Sequence, residues 1–126
     1  MSALFLDPDY TGGLSCTLTR PSPGVTVVTV VGEVDTSTMP RLADVLGDAS
    51  AVTDRVILDL SRVGFLSCSA LRVLHQTQER ISLVVVAAGR VIPRTLAVTG
   101  MDGLLEVYPD LATAIAARRR RPTSAP

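Results

Sequence analysis

The stretch that decides the fold is VILDLSRVGFLSCSAL, Val56 to Leu71. We expect a strand over Arg55 to Leu60, because its continuous apolar core is typical of parallel sheets that are buried on both faces. A turn then follows, and a helix is predicted from about Ser67 to Arg80. The succession of strand, turn and helix indicates an α/β fold.

Strands and helices also alternate on either side of this stretch. Two β-rich segments, Leu14 to Arg20 and Val25 to Val34, are separated by the turn residues Pro21 to Gly24, which predicts an opening hairpin. A helix is predicted after the N-cap candidates Asp35 to Thr38, with Pro40 in its first turn.

The second half of the chain continues the alternation. Its pattern predicts a mixed sheet of four or five strands with about four helices packed against it. The expected elements are a strand over Ser82 to Ala88, a short helix through Thr95 to Thr99 that stops at Gly100, an edge strand over Leu104 to Tyr108, and a last helix from Pro109-Asp110 through Ala117.

The length of 126 residues indicates a single domain, which at this size buries about two thirds of its unfolded surface in one core. We expect a flexible N-terminal segment over residues 1–13, the domain over residues 14–117, and a basic, polar tail over residues 118–126.

Composition and charge argue against several classes of protein. The longest apolar runs are far shorter than the ~20 residues of a membrane span, and the N-terminus lacks the pattern of a signal peptide, so we expect a cytoplasmic protein with no membrane partner. The net charge is zero, there is no Trp, and the basic run Arg118 to Arg121 is short, so we expect no direct binding of nucleic acid. Cys16 and Cys68 lack metal-ligand spacing, and we expect no metal or cofactor.

The helix predicted after the turn begins on three small side chains, Ser67, Cys68 and Ser69. Ser67 is a suitable N-cap. Cys68 then lies in the first turn, where the positive end of the helix dipole favours a thiolate, an anion or a phosphate. We expect Cys68 to be exposed, because it lies on a polar stripe at helical spacing. The stripe consists of Cys68, Arg72, His75 and Glu79.

No set of side chains in the sequence assembles an active site, and we expect no enzyme. His75 lies ~10 Å along the helix axis from Cys68, too far for a thiolate–imidazole pair. A cysteine phosphatase needs an Arg six residues after its Cys, where this chain has Leu74. Asp35 and Asp59 are explained as a cap residue and the end of a strand.

The order of these motifs resembles the STAS domain of bacterial anti-sigma factor antagonists, and the resemblance covers roughly Leu14 to Ala117. Three segments carry it. GEVD at Gly32 to Asp35 looks like the strand end GELD of that family, LDLSRVGFLSCSAL at Leu58 to Leu71 is similar to its phosphorylation loop DLSxVxFxDSSGL, and PRTLAVTGMDGLLEVYPDLATAI at Pro93 to Ile115 looks like its C-terminal section.

The resemblance implies that the chain binds an anti-sigma factor, an ATP-binding serine kinase, and so releases a sigma factor. In that family, phosphorylation of the first Ser of DSSG disables the antagonist. Here Cys68 occupies that position, Ser67 replaces the Asp, and Ala70 replaces the Gly. The implied partner-binding residues are Asp35, Thr36, Ser67, Cys68, Ser69, Arg72, His75, Gln76 and Glu79.

Because a serine kinase needs a hydroxyl, the sequence leaves three modes of control for the antagonist. We rank the absence of the usual switch first, ahead of phosphorylation of Ser67 or Ser69 and oxidation of Cys68. Two alternative functions stay open: a scaffold or sensor module of a stress-signalling assembly, and a redox-sensing protein based on Cys68.

Overall fold

The sheet begins with the hairpin that the sequence predicts. The computed structural model of the chain describes residues 13–53 and 55–120, with side chains through residue 117. Its first two strands, β1 (Leu14–Ser22) and β2 (Val25–Val34), pair antiparallel. Gly24, with a φ of 78°, makes the turn between them, a conformation that costs glycine little. The hairpin prediction is confirmed.

Helices and strands alternate through the rest of the described chain. The strand order is β1-β2-β3-β4-β5, and every pair after the first is parallel. The predicted mixed sheet with about four helices is therefore confirmed. The remaining elements are α1 (Met39–Val52), β3 (Arg55–Leu66), α2 (Cys68–Gln78), β4 (Ser82–Val86), α3 (Val91–Thr99), a 3-10 turn (Met101–Gly103), β5 (Glu106–Tyr108) and α4 (Leu111–Arg120).

The helices cover the two faces of the sheet unequally. α1, α2 and α3 lie on one face and enclose the larger core, in which Leu42, Leu74 and Ile92 are fully buried. The shared face follows from the right-handed crossover of each parallel connection. α4 packs on the opposite face through Ala114. The smaller core under α4 contains Val25, Val27, Ile57, Val84 and Val86.

β3 is longer than the sequence pattern predicts. We expected the strand to end at Leu60 and a turn to follow, but the strand continues to Leu66 beside β2. The register shifts twice, between Thr29 and Val31 and again between Gly32 and Glu33 of β2. At each shift β3 contributes one extra residue, as in a β-bulge, and the two strands stay paired. The prediction of a separate turn was wrong.

Other boundaries differ from the prediction by a few residues. α3 begins at Val91, because Pro93 is tolerated in a first helical turn, and ends at Gly100 as expected, with a φ of 78°. α4 continues past Ala117 to Arg120. Most of the predicted N-terminal segment, and the tail from residue 121, lie outside the described residues. None of the described helices is long and apolar enough to cross a membrane.

A close backbone contact joins the start of β1 to the end of β2. The backbone N–H of Glu33 donates to the carbonyl oxygen of Gly13 at 3.1 Å. Gly32, next to it, has a φ of 121°, and a Cβ added there would lie 1.8 Å from the same oxygen. Both the conformation and the space at this position therefore require glycine.

We expect Gly32→Ala to lower the free energy of unfolding by more than about 2 kcal/mol, because the added methyl overlaps backbone atoms in a disfavoured conformation. Gly47→Ala is the matched control. A Cβ at Gly47, inside α1, meets nothing within 4 Å, and the change should raise the stability by about 0.5–1 kcal/mol. Urea unfolding followed by circular dichroism measures the free energy of unfolding of both variants. If Gly32→Ala were as stable as the wild type, the close contact at Gly32 would be contradicted.

Candidate functional site

Two loops meet at the carboxyl ends of β2 and β3. Val34 and Leu66, the last residues of these strands, are paired in the parallel register. The backbone N–H of Ser67 donates to the carbonyl oxygen of Val34 at 2.9 Å. The predicted site residues Asp35 and Ser67 therefore follow neighbouring strand ends, and the structure brings their two loops together.

Asp35 organises the loop before α1. Its Oδ1 accepts hydrogen bonds from the Ser37 hydroxyl at 2.7 Å and from the backbone N–H groups of Ser37 and Thr38 at 2.9 and 3.0 Å. The Ser37 hydroxyl, followed by the N–H of Thr38, holds the pKa of the Asp35 carboxyl below its ordinary value of 3.8. The N-cap residue of α1 is Thr38, one of the predicted candidates, but its side chain makes no capping hydrogen bond. Asp35 instead orders the loop that leads into the helix.

Thr38 fastens the same loop to the end of β2. Its side chain is buried, and its hydroxyl donates to the carbonyl oxygen of Glu33 at 2.8 Å while accepting from the backbone N–H of Asp35 at 2.9 Å. These bonds hold the loop in one conformation. The predicted partner-binding residue Thr36 lies exposed at its tip.

Ser67 caps α2, as the sequence predicts. Its Oγ accepts a hydrogen bond from the backbone N–H of Ala70 at 3.2 Å and lies 3.0 Å from the hydroxyl oxygen of Ser69. Cys68, the first residue of α2, is exposed, whereas Cys16 is buried in the larger core. The prediction that Cys68 faces the solvent is confirmed.

The predicted polar stripe lies on the outer side of α2. The helix buries Leu71 and Leu74 against the sheet, which turns the stripe away from the core. His75 is half-buried, and the other residues of the stripe are exposed. Exposed members of the predicted surface on this helix are Cys68, Ser69, Arg72, Gln76 and Glu79.

The start of α2 is chemically suited to a negative charge at the protein surface. The first turn of α2 presents backbone N–H groups and the positive end of the helix dipole beside Cys68, an environment that tolerates a negative charge. Among the described residues, no group of three His, Cys, Asp or Glu side chains could hold a metal ion.

Phe65 is a neighbour of the site that the sequence analysis missed. Its side chain is 50% exposed, it pairs across the strands with Glu33, and it precedes Ser67 by two residues. An exposed aromatic could not be predicted there as long as residues 61–66 were taken as a turn. Polar and apolar residues do not alternate regularly in this segment, and Val63 and Phe65 differ in burial because of the bulge between them, so the sequence alone carries no clear signal of this exposure.

We expect Asp35→Ala to lower stability at neutral pH, because it removes the acceptor of the hydrogen bonds that order the loop before α1. The pKa of Asp35 is lowered in the folded state, so its contribution is present above the ordinary value of 3.8 and is lost as the pH falls through the folded value. Urea unfolding at several pH values measures the free energy of unfolding of both proteins. The difference between Asp35→Ala and wild type should become smaller as the pH falls below 3.8.

Asp44→Ala is the control for this experiment, because Asp44 lies exposed on the surface of α1. It should change stability little. A destabilisation by Asp35→Ala that is equally large at neutral and acid pH would contradict the role given to the carboxylate.

Comparison with known proteins identifies the family. Residues 18–114 match the sequence model of the STAS domain. A similar curated relative is the anti-sigma-F factor antagonist RsfB of Mycobacterium tuberculosis, which is 32% identical over 97 residues, or 73% of this chain and 80% of the relative.

Solved structures give the same result. The crystal structure of an anti-sigma factor antagonist from Mycobacterium paratuberculosis superposes with a TM-score of 0.78 at 32% identity, over 89% of this chain and 97% of that one. The anti-sigma factor antagonist SpoIIAA in its unphosphorylated form shares the fold, with a TM-score of 0.67 at 14% identity. The superposition covers 86% of this chain and 100% of SpoIIAA. The chain belongs to the STAS domain family.

Proposed function

We propose that this chain is an anti-sigma factor antagonist, which binds an anti-sigma factor and so releases a sigma factor. The observation that carries the proposal is the exposed first turn of α2, held beside the Asp35 loop by the hydrogen bond from Ser67 to Val34. The relatives at 32% identity, whose names state this function, support it.

The proposed partner surface joins the loop before α1 to the outer side of α2. It carries charges of both signs, because Arg72 and Glu79 are both exposed on the side of the helix that faces away from the core. A groove of about 250 Å³ lies elsewhere, between α1 and α2, and its lining includes none of these residues. A polar, outward-facing surface of this kind fits another folded protein. Its residues are Asp35, Thr36, Ser67, Cys68, Ser69, Arg72, His75, Gln76 and Glu79.

The proposed partner is an anti-sigma factor of the ATP-binding serine kinase type. A side chain at position 68 is exposed at the start of α2, where a kinase can reach it. A phosphate there adds about 1.5 to 2 negative charges, which the helix N-terminus tolerates. We therefore expect the phosphate to weaken binding of the partner and to leave the fold unchanged.

At position 68 this chain has a cysteine, so it lacks the serine hydroxyl that is phosphorylated in the usual switch of the family. Of the two neighbouring hydroxyls, that of Ser67 caps α2 and that of Ser69 lies 3.0 Å from it. Modifying Ser67 would give up a cap that is typically worth about 1 kcal/mol. The proposed antagonist is therefore constantly active, and oxidation of the exposed Cys68 thiol is the alternative form of control.

We expect Arg72→Glu to weaken binding to the anti-sigma factor about tenfold, equivalent to about 1.4 kcal/mol, because it reverses a charge inside the proposed surface. Titration calorimetry with purified candidate anti-sigma kinases measures the affinity. Arg20→Glu is the matched control, since Arg20 is exposed near the hairpin turn, at the opposite end of β2 from the site. If Arg72→Glu and Arg20→Glu weaken binding equally, the partner does not bind at the proposed surface.

Incubation of the wild-type chain with its anti-sigma kinase and ATP should leave Ser67 and Ser69 unmodified in mass spectra. Cys68→Ser should gain one phosphate, because it supplies a hydroxyl at the exposed position, and Cys68→Ala should gain none. Stoichiometric phosphate on Ser67 or Ser69 of the wild type would refute the loss of the switch. A kinase that binds the chain but leaves Cys68→Ser unmodified would refute the kinase role of the partner.

A further inference from the structure

The groove of about 250 Å³ between α1 and α2 lies on the face of the sheet that carries the larger core. Its wall on the α1 side is formed by Ala43, Leu46, Gly47 and Ser50. These residues recur at helical spacing, so they lie on one side of that helix. None of them belongs to the proposed partner surface, and the groove is therefore a separate feature of the molecule.

The groove is open because α1 has small residues where it faces α2. Ala43 and Gly47 are one helical turn apart, and a Cβ added at Gly47 would meet nothing within 4 Å. On the other side of the groove lie Val73 of α2 and Ile81, which are both half-buried. With Leu46, these side chains give the groove apolar walls. A ligand that fills it therefore needs an apolar body.

The two hydroxyl groups that line the groove are already used as donors. The Thr77 hydroxyl donates to the carbonyl oxygen of Val73 at 2.8 Å, and the Ser50 hydroxyl donates to that of Gly47 at 2.9 Å. Each hydroxyl is bonded to its own helix, so neither has a hydrogen left for a ligand. A polar group of the ligand must therefore be recognised by another side chain.

Arg80 supplies that recognition at the end of the groove beside the C-terminus of α2. It is exposed, and among the described residues it is the one charged residue of the lining. The acidic residues next to the lining in the chain, Asp44, Asp48 and Glu79, are exposed and do not line the groove. A guanidinium group is a planar fork of N–H donors that matches the two oxygens of a carboxylate.

The helix end near Arg80 opposes an anion only weakly. The carbonyl oxygen of Thr77 accepts hydrogen bonds from the backbone N–H groups of Arg80 and Ile81 at 3.0 and 3.1 Å. The partial negative charge of an exposed helix C-terminus has a smaller effect than a charge-assisted, bidentate hydrogen bond. The guanidinium group therefore decides which charge the groove accepts.

We propose that this groove binds a medium-chain aliphatic carboxylate, with its chain between α1 and α2 and its carboxylate group on Arg80. The volume of about 250 Å³ holds roughly eight groups the size of a water molecule, at about 30 Å³ each. This size fits an unbranched acid such as octanoate. The inference goes beyond the proposed function, because the groove shares no residue with the proposed partner surface.

Titration of the nitrogen-15-labelled full chain with octanoate, followed by NMR, tests the proposal. We expect saturable shifts of the amide signals of Gly47, Val73 and Ile81, and no shift for Val98, which is exposed on α3. Octanol and octylamine have the same chain without the negative charge, and each should bind about tenfold more weakly or worse. Absence of saturable shifts with octanoate, or equal affinity for all of these ligands, would overturn the proposal.

Two substitutions test the charged end and the apolar walls separately. Arg80→Gln should weaken octanoate binding about tenfold and remove the preference over octanol. Arg94→Gln is the matched control and should leave the affinity unchanged, because Arg94 is exposed on α3 and does not line the groove. Gly47→Leu should fill the groove and abolish the shift at Val73.

Circular dichroism shows whether Gly47→Leu is folded, and the ligand series and Arg80→Gln decide the question even if it is not. If Arg80→Gln and Arg94→Gln have equal effects, or if folded Gly47→Leu binds octanoate as the wild type does, the ligand does not occupy the groove and the proposal is overturned.

Discussion

The parallel pairing of β2 with β3 is the constraint on which the rest of the structure depends. Parallel neighbours cannot be joined by a tight turn, so α1 must cross over the sheet between them. Two bulges keep β3 paired with β2 as far as Leu66 and Val34, and this continued register places Ser67 within hydrogen-bonding distance of Val34. A slip of one residue would turn every side chain of β3 to the wrong face and separate the two loops.

Short polar side chains hold the two loops of the proposed site through hydrogen bonds within the chain. Asp35 accepts hydrogen bonds from backbone N–H groups of the loop before α1, Ser67 caps α2, and Thr38 ties the first loop to the strand that precedes it. In the proposed complex, a partner would meet the exposed residues Thr36 and Cys68 next to these hydrogen-bonded loops. Preorganised surfaces lose less conformational entropy on association, so a modest contact area can suffice.

The sequence predicts most of the fold because its apolar residues follow the periods of strands and helices. The same spacing predicts the exposure of Cys68, and the residue type of Ser67 predicts its cap. The extension of β3 could not be predicted, since Arg62 and Gly64 interrupt the apolar pattern and the bulges depend on pairing with β2. For the same reason the contact between the two loops, which arises from register, was not visible in either segment alone.

The strand order also sets how the loops are arranged at the carboxyl edge of the sheet. Doubly wound sheets hold nucleotides in the crevice that opens where neighbouring crossovers depart to opposite faces. In the described sheet the order runs from β1 to β5 without reversal, and α1, α2 and α3 lie on one side. The loops at the carboxyl ends of the parallel strands therefore follow one another along a single edge of the sheet. The reversal of strand order that creates a nucleotide crevice in doubly wound sheets is thus not found among the strands that the structure describes.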